Sequence, residues 1–237
     1  MPSTHAAAPH GVDALRELTF DAVLFDLDGT LVDSTPAVVR SWLTWAAEEN
    51  LDPEFRERMH GMPAPEIVLA LVGEERFSDS LQRVLDLEHR DTHDIVPLPG
   101  AQTLLSSIPA GKAAIATSCT ASLADVRIKA AGLQAPRLVV SYDDVSAGKP
   151  APEPFLKAAE GLGVDPARCL VVEDAPAGIA AARAAGCRVL AVTGTHAADD
   201  LRADAVVDSL EGLEFRSVDG ALTLVTTQSL EPRPASA

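Results

Sequence analysis

Positive charge is scarce in this chain: 19 Lys and Arg stand against 35 Asp and Glu, a formal net charge of −16. Phosphate backbones select basic surfaces, so the balance argues against nucleic acid as a partner. It also opposes long-range attraction of anions, so a phosphate site here would need cations close by. Cysteine is scarce as well. Cys119, Cys169 and Cys187 are odd in number, widely spaced and without paired metal-ligand spacing. They read as free thiols of a reducing compartment, with Cys169 and Cys187 as small buried hydrophobes at strand starts. No window reaches the roughly 20 uninterrupted apolar residues of a membrane span, so no membrane partner is expected. Residues 1–18 lack a basic start and a continuous apolar stretch, which speaks against a secretory signal. No internal repeat occurs. These absences lead to the expectation of a cytoplasmic globular protein. Its 47% hydrophobic and 23% charged residues exclude a disordered chain. A length of 237 residues suits one large domain, or a core carrying a smaller inserted one.

The periodicity divides the chain. Residues 1–18 are non-periodic until Val12 and are expected to be partly disordered. The apolar run Ala22–Phe25 has the length and character of a buried parallel strand. From Pro36 to about Ile95 every apolar pattern is helical, including Val38, Val39, Trp42, Leu43 and Trp45. A short helix is expected from Pro53 to His60, and nothing in the block reads as a strand. After Pro99-Gly100 strands and helices alternate, which predicts βαβ units and a mainly parallel sheet covered on both faces. The expected organisation is an α/β core over residues 19–35 and 98–215 and a helical insertion over 36–97. Residues 216–237 read as a tail, with Leu222–Val225 a possible edge strand.

In such a sheet ligands bind beyond the carboxyl ends of the strands. Four strand ends carry chemistry there. Asp26 and Asp28 close the first, before the turn opened by Gly29; Thr117-Ser118 close the second. Lys149 follows the third, and Glu173-Asp174 close the fourth. Two acids at the end of a buried strand are costly unless a cation or hydrogen bonds offset their repulsion. Together the set meets the needs of phosphoryl transfer through a covalent intermediate. One carboxylate attacks phosphorus while a lysine and a divalent ion neutralise the equatorial oxygens. Hydroxyl and backbone N–H groups hold those oxygens, and the spare carboxylate serves as acid and base. Oxygen-only ligands favour Mg2+, and the lack of His or Cys at these positions argues against zinc.

These segments, in this order, resemble the four motifs of the haloacid dehalogenase-like hydrolases, over roughly residues 20–210. The resemblance implies a Rossmann-like mainly parallel sheet with helices on both faces, plus an all-α cap inserted after the first strand. By it, Asp26 is the nucleophile and Asp28 the acid/base. Thr117, with Ser118 and Gly29 beside it, binds the phosphoryl group, and Lys149 holds nucleophile and phosphate together. Asp174 and Glu173 complete an Mg2+ site with the Asp26 side chain and the Asp28 backbone carbonyl. Family dehalogenases lack the second aspartate and transporter-type ATPases carry threonine there, so phosphatases and phosphomutases remain.

The stretches ATSCT, SYDDVSAGKPAPEPFLKAAEGLGV and VVEDAPAGIAAARAAGC resemble glycerol-phosphate and deoxyglucose-6-phosphate phosphatases. A small sugar- or polyol-phosphate is therefore the expected substrate. The alternative is a β-phosphoglucomutase-like enzyme. Mutases carry a histidine where this chain has Val38 and an arginine where it has Met62-Pro63, which weakens that alternative. His60, before Gly61, matches a cap loop that faces the site in relatives and is the expected substrate contact in the cap. Trp42 and Trp45 read as cap core, and Glu66 and His89 as a solvated helix face. A monomer and a weak homodimer both stay open.

Overall fold

The computed structural model describes residues 12–52, 54–55 and 63–227. In chain order the elements begin with α1 (Asp13–Arg16), β1 (Ala22–Phe25), β2 (Val32–Asp33) and α2 (Thr35–Glu48). Helices α3 (Ala64–Val72) and α4 (Glu74–Arg90) follow, then β3 (Val96–Pro97) and α5 (Ala101–Ser106). The alternating half runs β4 (Ala113–Ala116), α6 (Ala121–Ala130), β5 (Leu138–Val140), α7 (Glu153–Leu162), β6 (Cys169–Glu173) and α8 (Pro176–Ala184). It ends with β7 (Arg188–Val192), β8 (Ala205–Val207), β9 (Leu213–Val218) and β10 (Ala221–Thr226).

Six strands form one parallel sheet in the order β5-β4-β1-β6-β7-β8. The expected α/β class with a parallel, helix-covered sheet is what the structure has. Numbered along the sheet by chain order alone, the strands read third, second, first, fourth, fifth, sixth. The direction of winding therefore reverses between β1 and β6, which is where a doubly wound sheet opens a crevice at its carboxyl edge. Asp26 and Glu173 stand at that edge. All residues of β1 and β6 are buried, as central parallel strands must be. Their side chains alternate between the two faces. Val23, Phe25, Leu170 and Val172 join a core with Leu104, Leu105 and Leu123 on one side. Ala22, Leu24, Cys169 and Val171 join Phe155, Ala158, Ile179 and Ala182 on the other.

Helices α2, α3 and α4 share a separate core of Trp42, Trp45, Phe55, Ile67, Val68 and Val84. The Trp42 and Trp45 rings meet edge to face at 5.3 Å, and Trp45 Nε1 donates to Ser80 Oγ at 2.9 Å. Where the chain passes between this helical unit and the sheet, β2 and β3 pair antiparallel over two residues each. That pair is too short for any period to mark it. At the same crossing Arg40 grips Asp91 and Asp94.

Each end carries more structure than its periodicity shows, and the possible edge strand Leu222–Val225 falls within β10. Helix α1 places Leu15 in the core, so ordered structure begins before residue 18; residues 1–11 lie outside the described ones. Residues 216–226 are not a tail. β10 pairs antiparallel with β9 in a hairpin apart from the main sheet, and Leu222 and Leu224 are buried. Asp219 and Gly220 both take positive φ, as a two-residue hairpin turn requires, and Asp-Gly is the sequence signal for it. Residues 228–237, and most of the expected helix from Pro53 to His60, lie outside the described residues. Among the described residues no helix is long and apolar enough to cross a membrane.

Candidate active site

The crevice brings together residues from four strand ends. Lys149 Nζ donates to Asp26 Oδ1 at 2.5 Å and to Glu173 Oε1 at 2.8 Å, and all three are buried. The ammonium also stands 5.0 Å from the centroid of the Phe155 ring. Glu173 Oε2 accepts the backbone N–H groups of Asp174 and Ala175, each at 2.7 Å, and so anchors the turn into α8. Asp174 Oδ1 accepts the Thr30 hydroxyl at 3.1 Å, and Oδ2 accepts that of Thr195.

One lysine does not balance this cluster. Carboxylate oxygens of Asp26, Glu173 and Asp174 lie within 4.8 Å of one another, and their three charges face a single ammonium. Burial pushes the Asp26 carboxyl well above the usual carboxylate range, against the pull of Lys149. Burial and the neighbouring Glu173 push Asp174 up to about 7. Burial works to lower the Lys149 ammonium, but Asp26 and Glu173 outweigh it and raise it. Excess negative charge buried in a crevice of oxygen donors suits a divalent cation, whose two charges remove the repulsion. Asp91, His93 and Asp94 form a second acidic group, but it is more exposed, and Arg40 already pairs with both of its carboxylates.

The backbone around the cluster is tightly fitted. A Cβ on Gly178 would overlap the Glu173 carboxylate, and one on Gly29 would overlap that of Asp174. Gly178→Ala is expected to displace Glu173, loosen Lys149 and lower kcat by about 100-fold, the cost of an ångström-scale misplacement. Steady-state kinetics beside a thermal melt checks this; an unchanged kcat would show that Glu173 can shift without consequence. The Gly29 N–H already donates to the Val32 carbonyl at 2.9 Å. The tight turn at Gly29 thus serves the approach of Asp174.

Thr117 is buried, and its Oγ1 accepts the Cys119 N–H at 3.1 Å, which leaves the hydroxyl proton to donate. Asp28 is turned toward α2 and α6. Its Oδ1 accepts the Ser34 hydroxyl at 2.5 Å, and Ser34, the residue just before α2, makes no side-chain cap for that helix. Its Oδ2 accepts the Cys119 thiol at 2.8 Å and faces Arg127 Nη1 at the same distance. Burial pushes the Cys119 thiol well above its usual range, so it stays a protonated donor. Cys119, Arg127, Ser34, Thr30 and Thr195 are absent from the site predicted by sequence. Cys119, in ATSCT, and Thr30, after Gly29, adjoin predicted site residues; the lack of metal spacing hid Cys119.

A cavity of about 240 Å³ opens over these groups. Its floor is Asp26, Asp28, Thr117, Ser118 and Lys149; the helical unit supplies a mainly apolar roof including Val38, Trp42 and Ile67. Trp42 therefore belongs to both the helical core and the cavity wall. Its Nε1 donates to Glu88 at 3.1 Å. His89 is not merely solvated: its ring bonds Ser122 of α6 at 3.2 Å. His60 lies outside the described residues.

The chain matches the haloacid dehalogenase-like hydrolase family model over residues 23–192 and belongs to that family. Hexitol phosphatase A of Escherichia coli (strain K12) is 43% identical over 197 residues, covering 79% of this chain and 90% of that protein. Glycerol-1-phosphate phosphohydrolase 2 of Saccharomyces cerevisiae is 33% identical over 200 residues, covering 78% of this chain and 79% of that protein. The crystal structure of a hydrolase from Pseudomonas syringae superposes with a TM-score of 0.68 at 30% identity. It covers 80% of this chain and 94% of the other.

Proposed function

We propose that this protein is a phosphatase that hydrolyses a small sugar- or polyol-phosphate monoester through a phosphoaspartate on Asp26. The observation that carries the reading is the buried Asp26, held by Lys149 on the floor of the cavity with a second carboxylate two residues on. An Asp26 oxygen attacks phosphorus as the ester P–O bond breaks, and Asp28 gives its proton to the departing alkoxide. Asp28 then takes a proton from water, whose oxygen attacks phosphorus and breaks the bond to Asp26. Thr117 and Ser118 donate to the phosphoryl oxygens, and Lys149 holds them beside the nucleophile. Mg2+ would be held by the Asp26 side chain, the Asp28 carbonyl, Asp174 and Glu173. When bound, it neutralises charge on the phosphoryl oxygens. The apolar roof excludes water during attack, and His60 is a proposed substrate contact.

The substrate class draws on what the relatives' names say of them, a hexitol phosphatase and a glycerol-1-phosphate phosphohydrolase. A phosphomutase is not favoured. Val38, where mutases carry a histidine, lines the cavity as an apolar side chain. The test is phosphate release from glycerol phosphate, hexitol and hexose 6-phosphates, deoxyhexose phosphate, phosphoglycolate and β-glucose 1-phosphate. Each is run with Mg2+ and with a chelator. Release from a narrow group, lost by at least about 100-fold under chelation, is the expected result. Conversion of β-glucose 1-phosphate to the 6-phosphate without release, or no reaction at all, would overturn the reading.

A further inference from the structure

Arg127 is the one cation besides Lys149 on the cavity wall among the described residues, and it is as buried. It sits on α6, away from every strand end, and meets two carboxylates from different parts of the fold. Nη1 lies 2.8 Å from Asp28 Oδ2 and also donates to Cys119 Sγ at 2.8 Å. Nη2 donates to Glu88 Oε1 at 3.1 Å. Glu88 is 5% exposed, stands in the last turns of α4 and accepts Trp42 Nε1 from α2. A buried guanidinium is costly unless its fork is fully used, and here each arm has a charged partner. The chain thus runs from the helical unit through Trp42 and Glu88 to Arg127, and from there to the carboxylate that must exchange a proton with the leaving oxygen.

We propose that Arg127 is a positioning residue: braced by Glu88 of the helical unit, it fixes the orientation of the Asp28 carboxylate, so that seating of the cap on the core sets the acid/base. A substrate contact would use the free face of the guanidinium, whereas here both arms are spent on protein. The inference rests on the phosphatase reading of Asp28, and its test separates the two.

Arg127→Ala, Arg127→Lys, Glu88→Gln and Asp28→Asn are compared on two esters with Mg2+ present. Glycerol 1-phosphate has an alkoxide leaving group that needs the Asp28 proton; 4-nitrophenyl phosphate has a phenolate that leaves without one. Arg127→Ala is expected to lower kcat on glycerol 1-phosphate by about 100-fold, within the range for general acid–base catalysis, with KM changed less than about threefold. Single-turnover release of 4-nitrophenol should change less than about fivefold, because that step breaks the P–O bond with no proton transfer. Arg127→Lys should recover part of the loss, and Glu88→Gln should show a smaller loss of the same kind. A rise in KM alone would make Arg127 a substrate contact, and an equal fall on both esters would make it structural; either overturns the proposal. If Arg127→Ala does not fold by circular dichroism, the two conservative variants decide by the same ratio of losses on the two esters. Full activity of Asp28→Asn would overturn the reading of Asp28 itself. An inactive Asp28→Asn beside a fully active Arg127→Ala would overturn this inference alone.

Discussion

Asp26→Asn is expected to abolish turnover, by at least about 10⁴-fold, while the protein stays folded. The amide nitrogen and oxygen of Asn occupy nearly the same space as the carboxylate, so the end of β1 keeps its shape. What goes is the oxygen able to form a bond to phosphorus, and with it the phosphoaspartate. The electrostatics favour the fold of the variant. Asp26 is one of three crowded carboxylates, and burial already pushes its carboxyl up. Removing its charge leaves Lys149 paired with Glu173 at 2.8 Å and relieves repulsion on Asp174. The melting temperature in chelator should therefore hold or rise. Phosphate release and acid quenching with radiolabelled substrate check the chemistry together: wild type retains label on the protein and the variant does not. Retained turnover would refute the nucleophile assignment.

Lys149→Ala should be the most damaging change to site and fold at once. Its side chain is 4% exposed and answers both Asp26 and Glu173. Among the described residues no other cation contacts either carboxylate. Truncation leaves three buried carboxylates uncompensated, and breaking a buried pair by removing one partner costs about 3–5 kcal/mol. It also removes a donor aimed at the charge that develops on the phosphoryl oxygens, worth about 10²–10³ in kcat. Denaturant melts and phosphate-release kinetics measure the two losses. Mg2+ should restore more stability to this variant than to wild type, since a dication then supplies the charge the lysine gave. A rate equal to wild type would reduce Lys149 to a buried structural cation.

Much of this protein was legible before its tertiary structure. Buried parallel strands announce themselves as short apolar runs, and a sheet built from them must put its ligand at their carboxyl ends. Asp26, Asp28, Thr117, Glu173 and Asp174 could be found because each sits at or just after the end of such a run; Lys149 stands well beyond β5 and was found by its likeness to a family motif. The structure brings them into one crevice, although Lys149 and Asp26 are 123 residues apart in the chain. The hairpin β9–β10 was half legible. Asp219-Gly220 marks its turn, but Leu213 and Phe215 alone carry the inward pattern of its first strand.

The surroundings of Asp28 were not legible at all. Cys119 reaches it across 91 residues, and Arg127 and Glu88 meet across 39. An arginine in the middle of a helix and a glutamate near the end of another look like solvent-facing charges, because their residue type and spacing are those of an exposed face. Sequence period reports which side of an element is apolar; it carries no information on which other element will cover a given charge. The chain alone thus determined the strands, their ends and the reactive groups placed there. The partners of the acid/base, the pairing of the second acidic cluster with Arg40 and the charge left over beside Lys149 were decided by tertiary packing. Each depends on distances between segments remote in sequence, and local pattern cannot encode those distances.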